Sequence, residues 1–212
     1  MGTVTLGVSI AVPEPHGSLL QQRRASFGDP AAHGIPTHIT LLPPTEADPD
    51  DRPEIEEHLT RVAAAGRDFT LRLSGTDTFR PLSPVVFVQL VEGAEACSRL
   101  QERVRAPEGP VARELVFPYH PHVTVAHDIA EESMDRAHEE LADFEASWTA
   151  TGFALYEQGP DLVWRLQRKF TFGSGNDDDG GGTAPAMSGL PRQVSRPSPA
   201  CGGGGGTFAP LG

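Results

Sequence analysis

The chain has 212 residues, of which 38% are hydrophobic and 22% charged, the proportions of a soluble globular protein of one or two domains. A formal net charge of −12 argues against a protein that grips long duplex nucleic acid, which calls for a broad basic face. It leaves a small or terminal phosphate ligand open, since screening removes distant charges over about 8 Å in physiological salt.

No apolar run approaches the ~20 residues of a membrane helix. The apolar start TVTLGVSIAV lacks the basic flank of a signal peptide, and MGTVTL misses the myristoylation pattern at Leu6. Cys97 lies in a helical pattern and Cys201 in a glycine tract, so neither a disulfide framework nor a CxxC metal site is present. A cytoplasmic protein of monomeric size is expected.

In chain order, TLGVSIAV reads as a strand. GSLLQQRRASF is a weak helix that stops at Gly28-Asp29-Pro30, and Thr37-His38-Ile39-Thr40 falls in a second strand. Ile55, Leu59, Val62 and Ala63 recur at helical spacing, and FTLRLS alternates Phe69, Leu71 and Leu73 against polar neighbours. From Val85 the order repeats. VVFVQLV is a strand buried on both faces, Cys97/Leu100/Val104 mark a helix, His122-Val123-Thr124-Val125 a strand, and Met134/Ala137/Leu141/Phe144 another helix. A strand follows, then a closing strand to Phe172 in which Leu162, Trp164, Leu166 and Phe170 alternate. The order of elements over residues 3–76 and again from Val85 predicts an internal duplication, with halves of roughly 1–80 and 81–172. From Gly173 onward the text is rich in Gly, Pro and Ser without hydrophobic periodicity; residues 173–212 are expected to be a disordered tail, leaving the acidity in the folded part.

Three of the eight histidines fall within FPYHPHVTVAH, Phe117 to His127. Zinc ligands, core histidines and acid/base groups all produce such a string. The pattern His-x-Ser/Thr occurs four times, at His16, His38, His58 and His122. The copy at His16 enters a helix at a glycine turn, and the copy at His58 lies inside a helix, where i and i+2 diverge. On a strand, i and i+2 share a face about 6.5 Å apart, so His38 with Thr40, and His122 with Thr124, can meet one ligand. Ile39, Leu41, Val123 and Val125 lie on the opposite, buried faces. His16, His33, His58 and His138 read as structural. His120 shares the parity of His122, but Pro121 interrupts the strand, so it lines a pocket or occupies a loop. His127 has the opposite parity and reads as structural. Tyr119, Phe79 and Trp164 suit packing or stacking on a base, and Arg165 with Lys169 form a solvated face.

The segments PTHITLLPP and YHPHVTVAH, half a domain apart in a duplicated α+β chain, resemble the 2'-5' RNA ligase family of the 2H phosphoesterase superfamily over roughly residues 3–172. The resemblance implies two pseudo-twofold-related lobes whose sheets line a central cleft, with helices outside. It places the family's two histidines on His38 and His122 and its hydroxyl residues on Thr40 and Thr124, with no metal and no cofactor. It also implies action on an RNA end or a small cyclic-phosphate nucleotide, and Tyr119 and His120 are candidate substrate contacts beside that centre. The chemistry agrees. Opening a cyclic phosphodiester needs a base for water and an acid for the departing ribose oxygen, which two imidazoles supply near neutrality, while hydroxyls donate to the non-bridging oxygens. Three alternatives stand beside this reading. One is a zinc hydrolase on His38, His120 and His122. Another is a histidine-triad hydrolase, which fits worse because Thr124 stands where a third His belongs. The last is a non-catalytic module that holds a nucleotide end.

Overall fold

The computed structural model describes residues 2–115 and 117–173; apart from Gly173 itself, the segment expected to be a disordered tail lies outside them. Twelve principal elements follow one another in the chain: β1 (Val4–Ala11), α1 (His16–Ser26), β2 (His38–Ala47), α2 (Arg52–Ala64), β3 (Phe69–Thr78), β4 (Val85–Glu92), α3 (Ala94–Val104), β5 (His122–His127), α4 (Glu131–Glu140), β6 (Glu145–Ala150), β7 (Gly152–Gln158) and β8 (Trp164–Thr171). The fold is α+β, built on two four-stranded antiparallel sheets ordered β2-β1-β7-β8 and β5-β4-β3-β6.

The helices form where apolar residues repeat every three or four positions. In α2, Ile55, Leu59, Val62 and Ala63 are buried; in α3, Cys97, Leu100 and Val104; in α4, Met134 and Ala137. These side chains join the inward faces of both sheets in one continuous cluster, where each fully buried Leu or Ile is worth about 1.5–3 kcal/mol. The turn from β4 into α3 depends on Gly93. Its φ is +92°, and a Cβ there would stand 2.6 Å from the Thr70 carbonyl oxygen, so any other residue would be both strained and blocked.

The two sheets exchange strands across the boundary expected near residue 80. β3 pairs with β4 and β6 in the second sheet, while β7 and β8 complete the first beside β1. The short link from β3 to β4 makes antiparallel pairing between them the cheapest closure. The segment after α4 forms two strands, β6 and β7, because the chain crosses from one sheet to the other at Thr151. Gly152 lets β7 begin there, since a Cβ at that position would lie 2.1 Å from the Phe170 carbonyl oxygen. β8 also departs from simple alternation. Leu155 pairs with Arg168 but Tyr156 with Leu166, and this bulge on an edge strand leaves Leu166 exposed. β4 is buried on both faces only from Val85 to Val88; Val91 is exposed.

In each sheet the histidine-bearing strand occupies one edge, next to the first strand of its half: β2 beside β1, β5 beside β4. These two edges lie against each other. The arrangement brings His38 and His122 into one region of the molecule.

Candidate active site

β2 and β5 repeat each other residue for residue where they begin. Both open with the same burial sequence, half-buried His, buried Ile39 or Val123, half-buried Thr, then two consecutive buried apolar residues, Leu41-Leu42 and Val125-Ala126. Both carry a bulge directly after the threonine. Thr40 pairs with Ser9 and Leu42 with Val8; Thr124 pairs with Phe87 and Ala126 with Val86. In both, the imidazole Nδ1 donates to the carbonyl oxygen two residues back: His38 to Pro36 and His122 to His120, each at 2.6 Å. That bond fixes the tautomer and leaves Nε2 as the nitrogen available for chemistry.

Burial lowers both histidines' affinity for a proton. His38 is pushed below the ordinary imidazole value by desolvation, opposed by the Pro36 carbonyl and reinforced by the Arg24 guanidinium. His122 is lowered to about 4, first by desolvation, then, against the His120 carbonyl, by the positive charge of His120 and of His38 itself. A protonated His38 therefore resists protonation of His122, and with both shifted down the two imidazoles are neutral at pH 7.

A cleft of about 340 Å³ opens beside His38 and Thr40, lined also by Ser9, His127, Tyr156 and Trp164. The indole of Trp164 reaches it because Gly7 has no side chain; a Cβ there would touch the ring at 3.0 Å. The backbone N–H of Trp164 donates to the Gly34 carbonyl at 2.7 Å. His127, read from the sequence as structural because of its parity, lines this cleft. The bulge at Val125 adds one residue to β5 and returns His127 to the face of His122 and Thr124. Its backbone N–H donates to Asp29 Oδ2 at 3.0 Å, and Asp29 in turn forms a buried ion pair with Arg24 at 2.7 Å. The end of β5 is thus tied to the turn after α1. Ser9, Tyr156 and Gln158 also line the cleft and were missed, since their strands show only core alternation.

The remaining sequence candidates take up distinct positions. The Tyr119 hydroxyl donates to the Thr40 carbonyl at 2.7 Å, bracing β2 against the segment that enters β5, and burial pushes its pKa up. His120 is exposed, with its ring edge-on to Phe79 and Phe87, 5.3 Å from each, and 5.9 Å from the ring of His122. Phe79 and Phe87 also pack on His122, at 5.1 and 4.9 Å. His58 bonds the Val104 carbonyl at 3.0 Å, and His16 packs edge-on to Phe144 at 6.1 Å; both are structural. Arg165 is paired with Asp161 on the surface. Among the described residues no group of three or more His, Cys, Asp or Glu side chains is gathered to hold a metal ion, so the zinc reading on His38, His120 and His122 draws no geometric support. Among those residues, too, no helix is long and apolar enough to cross a membrane.

The two sheets each present a His-x-Thr edge strand to the other. A family model described as the 2'-5' RNA ligase superfamily matches residues 12–161, a span that includes both motifs. The chain belongs to that superfamily. A protein of Bacillus cytotoxicus described as "Putative phosphoesterase" is 27% identical over 150 residues, covering 70% of this chain and 86% of the relative. One from Geobacillus kaustophilus with the same description is 28% identical over 141 residues, 66% of this chain and 80% of the relative. In fold, the chain is similar to TT0787 of Thermus thermophilus (TM-score 0.58, 24% identity, 80% of this chain and 98% of that one). It is similar also to LigT of Escherichia coli, solved with 3'-AMP (TM-score 0.58, 18% identity, 82% and 100%).

Proposed function

We propose that the protein is a phosphoesterase that acts on RNA-type phosphodiesters, 2',3'-cyclic phosphates or 2',5'-linked ends, by acid/base catalysis through His38 and His122. The matched pair of edge strands carries this reading. Two segments with little identity make the same choice of His, Thr, bulge and Nδ1 anchor, a coincidence that packing alone does not require. LigT, similar in fold, has been solved with 3'-AMP and with phosphate, ligands of the class proposed here.

In hydrolysis of a cyclic phosphate, one neutral imidazole takes a proton from water as the water oxygen bonds to phosphorus. The P–O bond to one ribose oxygen breaks, and the other imidazole, protonated, gives that oxygen its proton. The product is a phosphomonoester with a free ribose hydroxyl, and proton exchange with solvent resets the pair. Thr40 and Thr124 donate to the non-bridging oxygens as charge builds there. Burial keeps both imidazoles neutral, so the substrate itself supplies the condition for an acid: its negative charge between the rings raises the proton affinity of one of them. Tyr119 acts through Thr40, holding its strand in register. Ligation uses the same groups in reverse.

Turnover of 2',3'-cyclic nucleotides and of short 2',5'- and 3',5'-linked RNAs, compared between the parent and the His38→Ala and His122→Ala variants, tests the proposal. Each variant should lose about 10²–10⁴-fold in single-turnover rate. A near-parental rate in either would overturn the two-histidine mechanism. A dependence on added zinc, abolished by chelator, would replace it with the metal reading.

A further inference from the structure

A depression of about 330 Å³ lies between the end of α2 and α3, with Arg67, Arg99, Arg103 and Phe172 among its walls and no lining residue from β2 or β5. We infer that it is the docking site of an acidic segment of this same chain, Asp177-Asp178-Asp179, which begins four residues beyond Gly173. The inference is independent of the phosphoesterase reading.

Charge is the first observation. Three arginines line the depression against one carboxylate, Asp68, in a chain of net charge −12. Elsewhere exposed arginines are matched by acids, as Arg61 is by Glu57 and Arg72 by Glu145. Here Arg99 has only the exposed Glu95, at 3.4 Å, a pairing that holds little in water. Among the described residues, neither Arg67 nor Arg103 has a carboxylate within ion-pair distance; Arg103 instead donates to the Ala65 carbonyl at 3.2 Å. Carboxylates are what this surface lacks.

The second observation is where the chain departs. Phe172 is buried against Phe69 and Phe153, 5.9 and 6.1 Å away, and Gly66 makes room for it, since a Cβ there would stand 2.5 Å from the ring. The Gly173 N–H donates to the Ala63 carbonyl at 3.2 Å, which pins the backbone to the end of α2 beside the arginines. Four residues of chain reach at most ~14 Å, so Asp177 stays close to them. A tether as short as Ser174-Gly175-Asn176 gives the triplet an effective concentration in the mM range, so that contacts weak one by one bias it towards the depression. Docking neutralises the arginine cluster and covers the seam between α2 and α3.

The test is the rate at which an Asp-specific endoproteinase cuts the full-length chain ahead of Asp177, Asp178 and Asp179, since such cleavage follows the undocked fraction. Cleavage should run about 3–10-fold faster in Arg67→Gln/Arg103→Gln than in the parent. Arg67→Lys/Arg103→Lys should keep most of the protection, and added NaCl at about 0.5 M should bring the parent to the glutamine variant's rate. Equal rates in the parent and the glutamine variant at low salt would overturn the docking. Protection that grows with protein concentration would overturn it too, in favour of the triplet of a second copy. Should the arginine variants fail to fold, Asp177→Asn/Asp178→Asn/Asp179→Asn, which leaves residues 1–173 untouched, supplies the reciprocal measurement: it should shift the Nε–Hε NMR resonances of Arg67 and Arg103, and unmoved resonances would overturn the inference.

Discussion

The starts of β2 and β5 are alike in backbone and unlike in surroundings. Both present His, Thr, a bulge and an Nδ1 anchored to a carbonyl two residues back. Around His38 the neighbours are an open cleft with Trp164 and Tyr156 and, behind it, the buried Arg24–Asp29 pair. Around His122 they are the rings of Phe79, Phe87 and His120. On the proposed function, this difference separates chemistry from recognition: the shared features would serve the phosphate, the differing ones what the phosphate is attached to.

The strongest way to break the comparison is to remove the shared part. If the two histidines work as one acid/base unit, the His38→Ala/His122→Ala double variant should be little worse than either single variant, each down about 10²–10⁴-fold. Multiplicative losses in single-turnover rates would mean that the histidines act independently. Next in size, Thr40→Val and Thr124→Val should each cost about 10²–10³-fold in kcat, as for the loss of one donor to a developing oxyanion, with the melting temperature little changed and chelator without effect. A large loss from Thr40 alone would show that one strand carries the phosphate and that the symmetry is merely structural.

The elements and the two motif strands were legible in the sequence because each has a physical signature: helical spacing in Ile55/Leu59/Val62, and the alternation His-Ile-Thr and His-Val-Thr over a buried face. The partition of strands between sheets was not. Nothing local in FTLRLS says that it pairs with β4 rather than β1, since register and partner are set by long-range closure. His127 was misread for a different reason. Period-2 parity holds only without a bulge, and the bulge had a visible sign in the consecutive apolar pairs Leu41-Leu42 and Val125-Ala126, which break alternation at the same offset from both histidines. The cleft lining from β1, β7 and β8 carried no such sign, because Ser9, Tyr156 and Trp164 sit in strands whose pattern core packing already explains.

The pH dependence sharpens the comparison on a smaller scale. Both histidines are held below the ordinary imidazole value by burial, His122 at about 4, so the kcat/KM profile, which reports the free enzyme, should peak on the acid side of neutrality. The kcat profile should lie at higher pH, since bound phosphate raises one imidazole. Stability follows the same shift. The unfolded chain takes up protons near pH 6.5 before the folded chain does, so the melting temperature should fall as pH drops from about 6.5 towards 4. His122→Ala should flatten part of that fall. A kcat/KM bell centred at or above pH 7 would contradict the neutral resting state.

The smallest expected effect isolates the difference between the two strands. Phe79 stands 5.1 Å from His122 and edge-on to it, so its ring excludes water from one imidazole, while the cleft beside His38 is lined by Trp164 and Tyr156. Phe79→Leu keeps an apolar side chain but uncovers part of the ring. The desolvation that lowers His122 should weaken, and its titration midpoint should rise from about 4 towards the ordinary value near 6.5. His38 should hold its midpoint, apart from the small repulsion that a more readily charged His122 exerts on it. NMR titration of the two imidazole Cε1–H resonances reads both sites in one sample. Equal shifts at the two histidines would mean that a common field, and not the aromatic nest, sets them. An unmoved His122 would mean that Phe87 and His120 alone keep it dry, and the asymmetry would then reside in β4 and β5 themselves.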